Sequence, residues 1–333
     1  MNAINFEKII SIENLLLAWK EFLRGKRNRK DTQEFQLHLM DNLLSLHNNL
    51  KNKTYTHGGY FSFNISDPKP RNIHKAIVRD RLLHHAIYRI LYPVFDNKFI
   101  HDSYSCRIGK GTHKAMNRFR DFFRKVSKNN TKTCFVLKCD IRKFFANIDH
   151  AILKQVLEKH IKDKEIIWLL SQVIDSFHTQ PNTKNSAIAE SLVKGLPLGN
   201  LTSQLLVNIY MNEFDQFMKR KLKVKYYARY ADDFVILSED KNYLENLLQK
   251  ISEFLEKELK LQLHPNKVSI ETVASGIDFL GWIHFPRHRV LRTSTKRRML
   301  KNIANNPKLE TVQSYFGMLK HGNTFKLSKT IKS

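Results

Sequence analysis

The stretch Lys225-Tyr226-Tyr227-Ala228-Arg229-Tyr230-Ala231-Asp232-Asp233-Phe234-Val235-Ile236-Leu237 reads as two strands closed by a tight turn. Aromatic and β-branched residues fill both arms, and Ala-Asp-Asp supplies turn chemistry between them. The hairpin therefore carries two adjacent carboxylates at its tip. Toward the N-terminus a second apolar run, Cys134-Phe135-Val136-Leu137-Lys138-Cys139-Asp140, also reads as a strand and ends on a third carboxylate. Asp-Asp in a turn, or Asp after a buried strand, is ordinary punctuation when it stands alone. Three acids delivered to strand ends by such apolar flanks form a constellation if the strands share one sheet. They repel one another without a cation, so a binding protein has no physical need of them.

Charge points the same way. The 333 residues hold 57 Lys plus Arg against 31 Asp plus Glu, a formal charge of +26. Self-repulsion on that scale disfavours a compact chain unless a polyanion joins it, and nucleic acid rewards a basic surface through counterion release. A ribosomal or membrane-surface protein gives the same number, so charge fixes the class of partner and no more. The three cysteines, Cys106, Cys134 and Cys139, lack CxxC spacing, which argues against a disulfide scaffold or a zinc site. Cys134 and Cys139 read as buried free thiols, and His84 and His85 as surface or groove residues. The opening MNAINFEKII has no long apolar core, so no signal peptide is expected, and no stretch approaches a membrane span. The expectation is a soluble cytoplasmic protein without a membrane partner.

Working outward from the two carboxylate strands, residues 13–50 show helical stripes, Leu15, Leu16, Trp19 and Phe22, then Phe35, Leu39, Leu43, Leu46 and Leu50. The basic run Arg24 to Lys30 between them is by default a solvated loop, with nucleic-acid contact as the alternative. Tyr55 to Phe63 is extended, and Asp67-Pro68-Lys69-Pro70-Arg71 makes a stiff basic loop. Residues 75–95 return to helix, and Ser105 to Thr112 is a flexible loop. A helix is expected from Asp149. Residues 178–194 form a polar connection into Gly195-Leu196-Pro197-Leu198-Gly199, before a long amphipathic helix from Thr202. Another helix covers 241–260, 268–285 is β-rich, and from Arg287 the chain reads as basic and helical. The order βα(ββ)α between about 133 and 285 predicts an α+β core with helical additions at both ends.

Nucleotidyl transfer uses two divalent ions about 3.5–4 Å apart, and magnesium takes oxygen ligands while keeping several waters. Asp140 with Asp232-Asp233 offers that ligand set. Here the chain resembles reverse transcriptases. Tyr230-Ala231-Asp232-Asp233 is similar to their YxDD signature, and Asp140-Ile141 followed by Phe144-Phe145 to their other catalytic strand. Lys69-Pro70-Arg71 with Val78-Arg79-Asp80-Arg81, Tyr104 to His113, and Phe279-Leu280-Gly281 resemble further blocks in the family's order, over roughly 55 to 290. The resemblance implies a right-hand polymerase: an N-terminal helical extension (1–54), fingers (55–132), a palm of antiparallel sheet plus helices with the aspartates (133–285), and a small basic helical thumb (286–333).

It also implies roles by position. Asp140, Asp232 and Asp233 are the expected catalytic residues and, with Ile141, the expected ligands of two Mg2+ ions, Asp233 being the more peripheral. Lys69 and Arg71 are expected at the triphosphate of an incoming deoxynucleotide, an arginine fork suiting phosphate. Phe145 falls where the family keeps an aromatic gate against the ribose 2′-hydroxyl, whereas a core role suits Phe144. Lys267 resembles a lysine near the nucleotide, and Ala231, Leu198, Gly199 and Gln204 complete the expected substrate site.

One departure narrows the family. Most reverse transcriptases carry Gln-Gly before the long palm helix and Ser-Pro five residues on. This chain reads Leu198-Gly199-Asn200-Leu201-Thr202-Ser203-Gln204. That pairing resembles the reverse transcriptases of diversity-generating retroelements, which copy a template-repeat RNA while misincorporating at adenines. An apolar leucine cannot make the hydrogen bond by which glutamine penalises a bad nascent pair, and discrimination rests on few kcal/mol. The resemblance implies template RNA, an RNA/cDNA duplex and a small basic helical accessory protein as partners. The short basic segment after the palm leaves an expectation of no RNase H, endonuclease or maturase domain. The rivals are a retron- or group II intron-type reverse transcriptase and, in another class, a non-catalytic RNA-binding protein on a polymerase scaffold.

Overall fold

The computed structural model of the chain describes residues 5–66, 70–179, 193–305 and 307–332. Helices α1 (Phe6–Ile10), α2 (Ile12–Phe22), α3 (Lys30–Leu37) and α4 (Leu39–Lys51) precede a hairpin of β1 (Tyr60–Ile65) and β2 (Arg71–Ala76). Then come α5 (Val78–Asp96), α6 (Thr112–Val126), β3 (Phe135–Cys139), α7 (His150–His160), α8 (Lys164–Asp175) and α9 (Leu201–Gln216). A second hairpin, β4 (Tyr227–Tyr230) and β5 (Asp233–Ser238), leads to α10 (Lys241–Leu259). Strands β6 (Ser269–Thr272), β7 (Ile277–Phe279), β8 (Trp282–His284) and β9 (Arg289–Leu291) and helices α11 (Thr293–Asn305), α12 (Leu309–Leu319) and α13 (Phe325–Lys332) complete the order. The class is α+β as expected, and all named strand pairs are antiparallel. No helix among the described residues is long and apolar enough to cross a membrane.

The chain divides into two compact units, each discontinuous in sequence. The first comprises Met1–Ile100, Arg142–Phe217 and Phe254–Gln262. Its central element is α5, which packs against α1, α2, α3 and α9. Leu82, Leu83, Ala86, Ile87 and Leu91 recur at helical spacing on its buried face. The helix runs through Pro93. A proline inside a helix costs about 3 kcal/mol, and burying Leu91, Tyr92 and Phe95 around it, at about 1.5–3 kcal/mol per side chain, exceeds that. Asp149 and Asp163 cap α7 and α8 by accepting backbone N–H bonds from Ile152 and from Glu165 and Ile166.

One expectation is corrected in this unit. His84 is not a surface or groove residue but is buried on α5. Its Nδ1 pairs with Thr202 Oγ1 at 2.5 Å, and its Nε2 lies 3.2 Å from His57 Nε2. A double histidine carries no sign of which member faces inward until the helix phase is fixed.

The second unit comprises His101–Ile141, Met218–Glu253 and Leu263–Ser333. Its four-stranded sheet has the order β4-β5-β3-β6. β3 is central, which explains its near-continuous apolar sequence. Helix α6 covers one face, its Phe119, Phe122, Phe123 and Val126 packing with Val136, Ala228, Val235 and Leu237. Cys134 and Cys139 are buried and free, as expected, while Cys106 is exposed. A three-stranded sheet, β7-β8-β9, follows. The segment after Arg287 is therefore not helical throughout: β9 forms first because Val290 and Leu291 pair with Ile283 and Trp282. Helices α11 to α13 then bury Met299 and Leu319 in one cluster with Trp282, Leu291 and Met116.

Candidate active site

All three sequence-identified aspartates lie in the second unit. Tyr230 pairs with Asp233, which leaves Ala231 and Asp232 as a two-residue loop. Ala231 has φ of 56°, left-handed backbone that costs a side-chain-bearing residue about 1–2 kcal/mol. A buried guanidinium supports it. Arg229, 1% exposed, donates from Nη1 to the Ala231 carbonyl at 3.1 Å and from Nη2 to Ser103 Oγ at 3.1 Å. Its backbone is tied on both sides, N–H to the Asp102 carbonyl and carbonyl to the Tyr104 N–H, each at 2.9 Å. The Asp102 carboxylate accepts in turn from Tyr104 Oη and from Arg118 Nε. Burial raises its pKa, but Arg118 and His101 outweigh that and hold it below the ordinary carboxylate range.

The strand register places the other carboxylate. Cys139 faces Phe234 across β3 and β5, so one residue further Asp140 stands opposite Asp233. Lys138 faces Ser269 across β3 and β6, and two residues further Asp140 has Lys267 on its other side. One row across the sheet thus reads Tyr230, Asp233, Asp140, Lys267, with side chains on one face. Asp140 is 8% exposed, and Lys267 Nζ reaches both its oxygens, at 2.9 and 3.0 Å. Asp233 is pushed up to about 7, by burial first and then by the charges of Asp232 and Asp140, with Lys138 and Lys267 opposing. Ile141, 1% exposed, bridges Leu263 and could offer a metal only its carbonyl.

These residues fit a hard divalent cation in chemistry. The donors are carboxylate oxygens, burial and then their mutual repulsion raise Asp233, and a lysine ammonium already serves Asp140 as counter-charge. Among the described residues no three acidic, histidine or cysteine groups are gathered as a ready-made metal cluster.

The remaining candidates belong to the first unit. Phe144 is buried and Phe145 half-buried. The Phe145 carbonyl accepts from Leu196 N–H at 2.8 Å, and two residues on, the Leu198 carbonyl accepts from His74 N–H at 3.0 Å. The segment of Leu198 and Gly199 is thereby joined to β2, whose first residue is the exposed Arg71. Gly199 has φ of 110°, and a Cβ there would lie 2.9 Å from Ile73 Cγ2, so strand and segment approach closely only with glycine. Gln204 is half-buried on the first turn of α9 and its carbonyl accepts from Asn208 Nδ2. Lys69 lies outside the described residues.

The sequence reading missed Arg229, Asp102 and Arg118. The available signal was Arg229 itself, a charge inside an apolar strand one residue before the signature. A buried charge must find partners, and its presence there announces a hydrogen-bonded support.

The family model described as reverse transcriptase (RNA-dependent DNA polymerase) matches residues 65–284. Protein YkfC of Escherichia coli (strain K12) is 26% identical over 274 residues, covering 73% of this chain and 68% of that protein. The group II intron-encoded protein LtrA of Lactococcus lactis subsp. cremoris is 24% identical over 281 residues, covering 66% of this chain and 44% of LtrA. Among solved structures, the apo telomerase from Candida tropicalis is similar with a TM-score of 0.51 at 13% identity, over 69% of this chain and 48% of that one. The telomerase likeness is one of fold and is consistent with a right-hand polymerase. The chain spans less than half the length of LtrA and of the telomerase chain. With the family's model matched across most of its length, and the aspartates of its YxDD hairpin set beside a third carboxylate in one sheet, the chain belongs to the reverse transcriptase family.

Proposed function

We propose that this chain is an active RNA-directed DNA polymerase of the diversity-generating retroelement type, copying a template-repeat RNA into cDNA with errors concentrated at adenines. The observation that carries the polymerase reading is the row that sets Asp140 directly opposite Asp233, with Asp232 in the adjoining loop. In this reading residues 55–132 act as fingers, 133–285 as palm and 286–333 as thumb, with 1–54 as an N-terminal extension. Asp140 and Asp232 are the principal ligands of two Mg2+ ions, with Asp233 and the Ile141 carbonyl peripheral. When bound, such a pair of ions activates the primer hydroxyl and holds the triphosphate. Lys267, with 43% of its side chain exposed, neutralises Asp140 and is free to turn toward an anionic substrate. Arg71, with Lys69, is assigned to the triphosphate, and Phe145 to exclusion of the ribose 2′-hydroxyl.

The subtype rests on Leu198. Its backbone is fixed against β2 by the His74 bond, so its side chain is presented from a defined position with no polar group to test the nascent pair. Template RNA, an RNA/cDNA duplex, deoxynucleoside triphosphates and a small basic helical accessory protein are the partners in this reading. The likeness to the intron-encoded LtrA favours a second reading, an accurate intron-type enzyme.

One experiment separates them. The purified chain is incubated with magnesium, deoxynucleotides and a primed mixed-sequence RNA, with and without the accessory protein, and the products are sequenced. Errors concentrated opposite adenine are expected, and Leu198→Gln is expected to lower them. Accurate products refute the subtype and leave the intron-type reading. No product under either condition refutes the polymerase and leaves a binding protein.

A further inference from the structure

We propose that the second unit carries a separate RNA anchor: a lysine-rimmed hollow that takes the phosphodiester backbone of a folded RNA, at the opposite end of the four-stranded sheet from the aspartates. The inference rests on the reading that the chain's polyanion is RNA, and not on the polymerase chemistry.

The hollow has a volume of about 340 Å³ and lies where α6 ends and β4 begins, beside the end of β5. β5 runs from Asp233 to Ser238. At ~3.3 Å per residue, the hollow lies ~16 Å along the sheet from the catalytic row. Four exposed lysines rim it, Lys125, Lys128, Lys223 and Lys225. Among the described residues none of the four has a carboxylate within ion-pair distance. Glu239 lines the same hollow, but Lys132 Nζ takes its carboxylate at 3.0 Å. The site thus keeps an uncompensated cluster of positive charge.

Ordinary structural causes account for part of this arrangement. A lysine after a helix C-terminus complements the helix dipole, worth about 0.3–1 kcal/mol. That covers one charge per helix end and does not explain four around a single concavity. Moreover, Lys128 and Lys223 both sit in left-handed backbone, with φ of 46° and 54°. Glycine or asparagine would sit there more cheaply, by about 1 kcal/mol or more for glycine. The chain spends lysine at both positions.

The floor fits the same ligand. Tyr226 is half-buried and Tyr243 is 40% exposed, so two rings border the phosphate-binding rim. Tyr226 is packed edge-on to Phe122 beneath Lys225 Nζ, so the exposed Tyr243 ring is the one that suits stacking by a base of an unpaired or looped RNA segment. An acidic protein segment would use the lysines but leave the exposed Tyr243 ring without a stacking partner.

The test replaces Lys125, Lys128, Lys223 and Lys225 together by glutamine in the full chain. The probe is a fluorescein-labelled RNA stem-loop of about 30 nucleotides. Each phosphate contact contributes about 0.7–0.9 to the slope of log Kd against log salt. The expected result is a slope smaller by about 2–3, and binding weaker by roughly 10–100-fold near physiological salt. Extension of a short saturating primer–template stays within twofold. A control variant neutralises Lys8, Lys20, Lys51 and Lys250, which are exposed elsewhere. An unchanged salt slope overturns the proposal. So does an equal loss from the control set, which assigns the effect to overall charge. If a poly-glutamate peptide loses binding to the variant while RNA does not, the hollow is a protein-docking site and the proposal fails. Should the unsubstituted chain bind RNA but extend nothing, the polymerase reading fails and this one stands on its binding data.

Discussion

Replacing Arg229 by methionine removes the guanidinium that supports the signature turn while keeping most of the side chain's volume. Two acceptors lose their donor, the Ala231 carbonyl and Ser103 Oγ. An unsatisfied buried polar group costs about 1–3 kcal/mol, and Ser103 can recover part of its loss by rotating its hydroxyl. A destabilisation of about 2–5 kcal/mol follows. At ~2–4 °C per kcal/mol for a unit of this size, the melting temperature falls by roughly 4–20 °C. There is a second effect at lower temperature, where the variant is folded. The left-handed Ala231 carries about 1–2 kcal/mol of strain, and without the Nη1 bond the turn relaxes. A loss of ~1.4 kcal/mol of positioning corresponds to about tenfold in rate, so primer extension falls by about that factor. Arg229→Lys keeps the charge but cannot serve two acceptors with a planar fork, and falls between the two. Differential scanning fluorimetry and single-turnover extension at 20 °C read both effects. A melting temperature within 1 °C of the unsubstituted chain, with extension within twofold, refutes the assignment of Arg229 as the turn's support.

Further expectations concern charge and shape. Burial, followed by His57, His85 and Arg81, pushes His84 down to about 3 from the ordinary 6.5, so the unfolded chain binds the extra proton between those values. Stability is therefore full above pH 6.5 and falls as pH drops toward 3; urea melts from pH 7.5 to 5 show this, and His84→Asn flattens the slope. Asp233→Asn removes one of three neighbouring like charges and, in EDTA at pH 8, raises stability by about 1–2 kcal/mol while abolishing extension; an unchanged or lower melting temperature in EDTA counts against mutual repulsion. Phe145→Ala admits ribonucleotides, read as the ratio of kcat/KM for a ribo- and a deoxynucleotide; an unchanged ratio places the gate elsewhere.

What the sequence made legible, and what it hid, follows from how local each signal is. Asp232 and Asp233 could be placed at a hairpin tip because strand, turn and strand are contiguous. Asp140 could be placed at a strand end because β3 is central and, Lys138 apart, reads as an apolar run. That Asp140 stands opposite Asp233, and that Lys267 grips it from 127 residues away, required the register of β3 with β5 and β6. The Asp102–Arg118 support likewise joins a loop to a helix 16 residues on. Helix α6 had a clear stripe in Met116, Phe119, Phe123 and Val126, but it follows the glycine-bearing segment read as a loop. Strand β9 spans only three residues in a basic run and is defined by its partner β8.

The row Tyr230–Asp233–Asp140–Lys267 depends on one pairing register between β3 and its two neighbours. Strand side chains alternate, so a slip of one residue turns every member of the moving strand to the opposite face. Asp140 would leave Asp233 and Lys267 together, and Cys139 would take its place. A slipped β3 leaves the Asp232–Asp233 turn intact but removes the third carboxylate, because Asp140 meets Asp233 in one frame only. A molecule misaligned at β3 therefore loses the three-carboxylate site outright rather than holding a distorted version of it.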